Sequence, residues 1–345
     1  MKYLEQLQRL CATPAPSGFE AHAARRIALL LERFADEVEI DPLGNVIGVL
    51  KCGKKNAKTV LLDAHIDEIG LIVSGHKDGF LRFETLGGVD LRILPAREVQ
   101  VCTDEPLFGV ITCLPPHLST AAEMEKAMKK ETLFIDVGLS QEEAEQRIPV
   151  GTPVVFASSC ASLQNKCITG RALDDRACFC AILRALELLK SAKRNVDVVV
   201  VGSVQEELGC RGARCAGYTV NPDYAIAVDV THGSTPDSPK SKTFDLGSGT
   251  AIGMGPNLHP GLTKLLIKLA KEKKIPHSIE VCEGHTGTNA WVLQTVREGI
   301  KTGLLSVPLK YMHTPVETLS EKDLEATAKL LAAAVLALGE EGRRV

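Results

Sequence analysis

Val196-Asp197-Val198-Val199-Val200-Val201-Gly202-Ser203-Val204-Gln205-Glu206-Glu207 runs from an almost unbroken apolar stretch straight into two adjacent carboxylates. A run of valines without polar alternation suits a strand covered on both faces, as in a parallel sheet with helices on either side. The pattern recurs along the chain. Val60-Leu61-Leu62 leads into Asp63-Ala64-His65-Ile66-Asp67-Glu68, Tyr224–Val228 leads into Asp229, and Gly303–Val307 leads through Pro308–Met312 to His313. Helical periodicity stands between these strands at Asp174–Lys190 and Pro260–Lys274, and closes the chain at Leu319–Leu338. Such alternation predicts an α/β fold, with a mixed, mainly parallel sheet sandwiched by helices. Upstream, Tyr3, Leu4, Leu7 and Leu10 mark one helix face, Pro14–Gly18 breaks the chain, and Glu20–Phe34 reads as a second amphipathic helix.

From Ile69 the texture changes. Short β-like runs appear at Ile69–Val73, Phe80–Glu84, Glu98–Cys102, Phe108–Cys113, Leu133–Val137 and Pro153–Phe156, punctuated by Gly, Pro and Asp. The α/β pattern resumes near Ile168. The expected organisation is a discontinuous catalytic domain, residues 1–68 and 160–345, interrupted by a small β-rich domain at 69–159. One charged stretch, Ala121–Thr132, falls inside the insertion.

Composition removes several function classes. The 345 residues include 40 basic and 43 acidic side chains, a formal charge of −3, so no broad phosphate-binding surface is expected and no nucleic-acid partner. No apolar run reaches the roughly 20 residues of a membrane-spanning helix. Met1–Leu10 mixes charged and apolar residues and does not read as a signal peptide. Eleven cysteines without regular spacing point to reduced thiols in a cytoplasmic protein, most of them filling the core.

Ligand sites in open α/β sheets lie beyond the carboxyl ends of the strands. Four polar motifs stand at such ends, and a fifth, Gly170–Arg176, opens a helix. His65, Asp67, Asp174, Glu206, Glu207, Asp229 and His313 are therefore expected to converge. Singly, each has an ordinary role as a cap, turn or solvated residue. Together, two imidazoles and several carboxylates suit a pair of divalent cations. Three ligating carboxylates leave a small positive excess on two such ions, which favours a bridging hydroxide near neutral pH. A further carboxylate must stay free to move the proton, and successive residues of an extended Glu206–Glu207 segment point to opposite sides.

These motifs resemble the tetrahedral aminopeptidase and glutamyl aminopeptidase family of dinuclear metallopeptidases. The resemblance extends over nearly the whole chain: Pro16-Ser17-Gly18-Phe19-Glu20, Asp41–Val46, Ala64–Gly70, Pro115–Leu118, Ala172–Arg176, Gln205–Gly209, Asp229-Val230-Thr231 and Leu309–Glu317. It implies that His65 and Asp229 bind one metal, Glu207 and His313 the other, and that Asp174 bridges both. Glu206 would be general base and acid, with Asp67 orienting His65. Zinc is the first expectation for the two ions, with cobalt or manganese as alternatives. The insertion would be a barrel that serves dimerisation, and the assembly a homo-oligomer ranging from a dimer to a tetrahedral dodecamer that admits short peptides.

In one segment the chain departs from the family pattern. Where relatives often carry an acidic residue, Gly284–Trp291 presents neutral Asn289 and the single tryptophan, which leaves the side-chain preference open; Trp291 reads as core packing or as a pocket wall. Two other activities fit parts of the pattern. One is a metal-dependent amidohydrolase or deacylase acting on small metabolites. The other is a glycoside hydrolase, which needs two carboxylates and no metal.

Overall fold

The computed structural model describes residues 1–120 and 128–340. An eight-stranded sheet forms the centre, built from β1 (Glu37–Ile40), β2 (Val46–Leu50), β3 (Lys58–His65), β12 (Val196–Ser203), β13 (Tyr224–His232), β14 (Thr250–Met254), β15 (His277–Val281) and β16 (Lys301–Leu309). Its spatial order is β1-β2-β12-β3-β13-β16-β14-β15. The four central strands β12, β3, β13 and β16 are mutually parallel, while β1, β2 and β14 make the antiparallel pairings.

The valine run behaves as its composition dictates. Val198 and Val200 enter a core shared with α1 (Tyr3–Cys11), α2 (Ala21–Leu31), α4 (Leu173–Leu189), α6 (Pro260–Glu272) and α8 (Glu321–Leu338). Val199 and Val201 enter a second core on the opposite face, against α5 (Arg211–Val220) and α7 (Ala290–Leu293). A strand covered on both sides has no polar face to show.

The insertion closes into a barrel, ordered β4 (Gly70–Lys77), β5 (Phe80–Leu86), β8 (Phe134–Asp136), β7 (Leu107–Thr112), β6 (Glu98–Val101) and β9 (Pro153–Phe156). All its recorded pairings are antiparallel, and Leu71, Leu81, Val99, Ile111 and Ile135 fill it. Closure removes sheet edges, so short strands suffice. The remaining strands, β10 (Ala161–Ser162), β11 (Cys167–Gly170) and β17 (Glu317–Ser320), form a small separate sheet. Positions 121–127 of the charged stretch Ala121–Thr132 lie outside the described residues. Beyond them, Lys130 pairs with Glu84 of β5.

Several elements differ from the sequence reading. Asp229 lies within β13, because β-branched Val230 and Thr231 carry that strand on to His232. The last helix starts at Glu321, since Glu317–Ser320 pairs with β11 and Ser320 caps the helix by accepting from the Lys322 N–H. Helix α5 escapes the pattern because two glycines depress its propensity. Gly212 is there for space: a Cβ would come within 2.3–2.5 Å of Asn45 and the Val204 backbone. Buried Asn45 accepts from the Val204 N–H at 3.0 Å and donates to the Gly212 carbonyl at 3.1 Å, fixing the end of β12 where the carboxylate pair begins. Helix α3 (Gln141–Arg147) was legible in principle, since Ser140 and Glu143 form a capping box.

One buried ion network joins the first crossover to α4. Glu68 accepts from Arg171, from Arg176 at 3.1 Å and from the Ala15 N–H at 2.9 Å. Arg176, fully buried, also donates to the carbonyls of Leu10, Thr13 and Ile66. Burial works against ionisation of Glu68, but the two guanidinium groups overcome it and hold the carboxyl below its ordinary value. Glu68→Gln therefore leaves buried positive charge unpaired and is expected to lower unfolding free energy by about 3 kcal/mol at neutral pH. The sign of the pH effect follows. A depressed carboxyl stabilises above its unfolded value, and that stability is lost as pH falls through the folded value. Denaturant curves of wild type and variant should thus converge below the ordinary value of 4.5; a gap that persists there would assign the loss to packing.

Candidate metal centre

The parallel strands β3, β12, β13 and β16 deliver the predicted residues to one edge. His65 ends β3, Glu206 and Glu207 follow β12, Asp229 lies near the end of β13, and His313 sits in the turn after β16. Asp174 opens α4, and the peptide bond joining it to Asp175 is cis. The seven residues meet although they span positions 65 to 313. His65 Nε2 lies 3.0 Å from Asp174 Oδ1. His313 Nε2 lies 3.5 Å from Asp174 Oδ2 and 3.2 Å from Glu207 Oε1. Ligand-type atoms of His65, Asp174 and Glu207 all fall within 4.8 Å of one another, as do those of His65, Asp175 and Asp229.

A second layer fixes these side chains. His65 Nδ1 is 3.1 Å from the Asp67 carbonyl and 3.4 Å from its carboxylate. The nearest orienting acceptor is thus the main chain, and the Asp67 carboxylate has additional work. It accepts from the N–H groups of Glu206 at 3.0 Å and Glu207 at 3.2 Å, and from the Ser17 hydroxyl. Asp67 thereby ties the β3 exit to the carboxylate pair. Glu317 plays a similar part opposite: it accepts from the N–H groups of His313 at 3.0 Å, Leu173 at 2.8 Å and Asp174 at 3.1 Å. The barrel reaches in as well. The Gly88 carbonyl lies 3.0 Å from His313 Nδ1, and a Cβ on Gly88 would meet that ring at 2.8 Å. Gly87, at φ +76°, passes Glu207 so closely that a Cβ would lie 3.2 Å from its side chain. Only glycine allows that approach.

The cluster holds more carboxylates than imidazoles. Burial, with repulsion from Glu207, Asp67 and Asp174, pushes Glu206 up to about 7 against the attraction of His65. Burial also raises Asp229, Glu207 and Asp175. Burial alone would lower His313, but Glu207 and Asp174 raise it to about 9. Both carboxylate oxygens of Asp175 are buried without a hydrogen-bond partner. Orphaned buried oxygens grouped with His65 and Asp229 are what a divalent cation satisfies, so the residues present fit such a group.

The remaining expectations fare differently. Asn289 is buried, and its Nδ2 donates to Asp63 at 2.7 Å and to Ser203 at 2.8 Å, tying β3 to β12. Trp291 is not core; it is 37% exposed and stacks on His285 with centroids 4.2 Å apart. Five of the eleven cysteines are buried, one is exposed and the others are intermediate, so fewer fill the core than composition suggested. Two of them attend the site. Cys210 Sγ donates to Glu206 Oε1 at 3.2 Å, and Cys178 Sγ donates to the Asp229 carbonyl at 3.0 Å. Ser17, Glu317, Gly88 and Cys210 are the site residues that sequence reasoning passed over.

Fold and cluster together define an α/β hydrolytic enzyme with a candidate metal centre at the carboxyl edge of its sheet and a barrel reaching over it. The model of the M42 glutamyl aminopeptidase family matches residues 44–330, and the chain belongs to that family of peptidases. It is 37% identical to a lysyl aminopeptidase of Pyrococcus furiosus over 332 residues, covering 94% of each chain. Among solved structures, an aminopeptidase of the archaeon Desulfurococcus kamchatkensis superposes with a TM-score of 0.90 at 38% identity, covering 97% of this chain and 94% of that one. The TET1 peptidase of Pyrococcus horikoshii, which can assemble into a tetrahedron or a large octahedral shell, superposes with a TM-score of 0.86 at 32% identity, covering 97% and 99%. Among the described residues, no helix is long and apolar enough to cross a membrane.

Proposed function

We propose that the protein is a dinuclear metal-dependent aminopeptidase that hydrolyses the N-terminal peptide bond of short peptides in the cytoplasm. The observation that carries this reading is the meeting of His65, Asp174, Glu207 and His313 at 3.0–3.5 Å, beside the orphaned carboxylate of Asp175. His65 and Asp229 would hold one ion, Glu207 and His313 the other, with Asp174 shared. Bound there, zinc, or cobalt or manganese in its place, supplies Lewis acidity to the scissile carbonyl and acidifies a water. Glu206 takes the proton of the attacking water on its carboxylate and returns it to the leaving amine. Asp67 holds the Glu206 backbone, and the Cys210 thiol holds its Oε1.

A chelator-and-readdition assay tests the reading. Dialysis against a chelator should abolish hydrolysis of aminoacyl anilides and short peptides, and zinc, cobalt or manganese should restore it. Preference for N-acyl amino acids would instead favour a deacylase. Chelator-resistant cleavage of a glucan would overturn the peptidase mechanism.

We further propose that the barrel, expected at 69–159, joins copies of the chain into a dimer or a tetrahedral dodecamer. Phe108 and Val110 alternate on one face of β7, exposed by 60% and 37%, and Leu114 and Leu118 nearby are exposed by 51% and 70%. Exposed apolar groups of that size commonly mark an interface. Phe108→Asp should lower the native mass measured by light scattering; a wild-type protein that is already monomeric and fully active would remove assembly from the function.

A further inference from the structure

Cys11 and Cys160 take no part in the proposed catalytic chemistry; they are 149 positions apart in sequence and meet where α1 packs on the segment leaving the barrel. Gln8 and Cys11 share one helix face, being three residues apart. Gln8 Nε2 donates to the Cys160 carbonyl at 3.0 Å, which sets that face against residue 160. The Cys11 thiol donates to the Ala172 carbonyl at 3.6 Å, and the Cys160 thiol lies against it. Both residues are 4% exposed, yet both line a cavity of about 200 Å³ together with Gln8, Gln100, Ser159 and Arg171. The chain is tight here: a Cβ on Gly170 would lie 2.8 Å from Cys160 Sγ. The pair is asymmetric. The neighbouring Cys11 and the charges of Arg171, which lines the same cavity, and Arg176 lower Cys160 against burial, whereas Cys11 is raised. Cys160 is therefore the more acidic thiol of the pair and Cys11 the less acidic. Thiolate character beside guanidinium groups is what makes a cysteine reactive.

We propose that Cys11 and Cys160 form a reversible dithiol–disulfide site, oxidised by hydrogen peroxide or another small two-electron oxidant admitted through this cavity. The Cys160 sulfur attacks a peroxide oxygen; the S–O bond forms, the O–O bond breaks, and the departing hydroxide takes a proton to become water. The Cys11 sulfur then attacks the sulfenic sulfur; the S–S bond forms, the S–O bond breaks, and a second water leaves with the Cys11 proton. Two thiols and one peroxide give one disulfide and two waters, and an added dithiol reverses the change. The bond closes the loop from residue 11 to residue 160, so the oxidised protein should unfold at a higher temperature.

The test treats the full-length, metal-loaded protein with equimolar peroxide, alkylates remaining thiols and maps peptides. Expected is a Cys11–Cys160 cross-linked peptide, two fewer alkylatable thiols, and recovery with dithiothreitol. Cys160→Ala should consume peroxide about tenfold more slowly, while Cys215→Ala, at an exposed position, should react like wild type. Cys11→Ala should stop at a sulfenic acid trapped on Cys160. Melting of each reduced variant checks that it is folded. Full alkylation of Cys11 and Cys160 after peroxide treatment, with oxidation at Cys215 instead, would overturn the proposal.

Discussion

Replacing Glu206 by Gln is expected to lower kcat by about 10³-fold while the metal content stays at the wild-type level. Glu206 is not among the residues proposed to hold the ions, so the substitution should remove no ligand. The backbone stays in place because the Glu206 N–H still donates to Asp67. The amide can still accept from the Cys210 thiol. What is lost is a group able to exchange a proton near neutrality, the range into which burial and the neighbouring carboxylates push Glu206, at about 7. The loss should also depend on the leaving group. An anilide departs with little protonation, so its hydrolysis should suffer less than that of a peptide with the same first residue. Parallel kcat measurements on the two substrates, with metal analysis of each sample, check both statements. Turnover within a few-fold of wild type would remove Glu206 from proton transfer.

That the charged residues were legible in the sequence, and their companions were not, has a physical cause. His65, Glu206, Glu207 and His313 follow apolar runs, and a parallel sheet places the ends of such runs on one edge. Ser17, Glu317 and Gly88 act by contacts that no local pattern announces: Ser17 is 50 residues from Asp67, and Gly88 is 225 from His313. Gly88 could have been flagged only as half of Gly87-Gly88, a pair that permits a close approach wherever it falls. Cys210 was hidden by its type. A thiol in a composition rich in thiols reads as core, yet its place four residues after Glu206 sets it against that carboxylate. Asn289 owes its role to contacts that the sequence does not display. Its neutral side chain, standing where relatives often carry an acid, left side-chain preference open, and burial makes it a link between β3 and β12.

The sharpest remaining question lies between two adjacent aspartates. Asp174→Ala should lose both metals and all measurable activity, whereas Asp175→Asn should keep at least the ion held by Glu207 and His313. Asp174 lies between the histidines, 3.0 Å from His65 and 3.5 Å from His313, so one carboxylate reaches toward both proposed positions. Its backbone is pinned by Glu317, so the side chain has little freedom to be replaced by a neighbour's. Asp175 groups only with His65 and Asp229. Its carboxyl is raised well above the usual range, by burial first and then by Asp229. Burial thus favours its neutral form in the absence of a cation, and a neutral amide of the same shape should replace it at little cost to folding. The two variants thus differ in metal stoichiometry more than in stability, and elemental analysis beside thermal melting separates the effects. Two ions retained by Asp174→Ala, with both lost from folded Asp175→Asn, would transfer the shared position to Asp175.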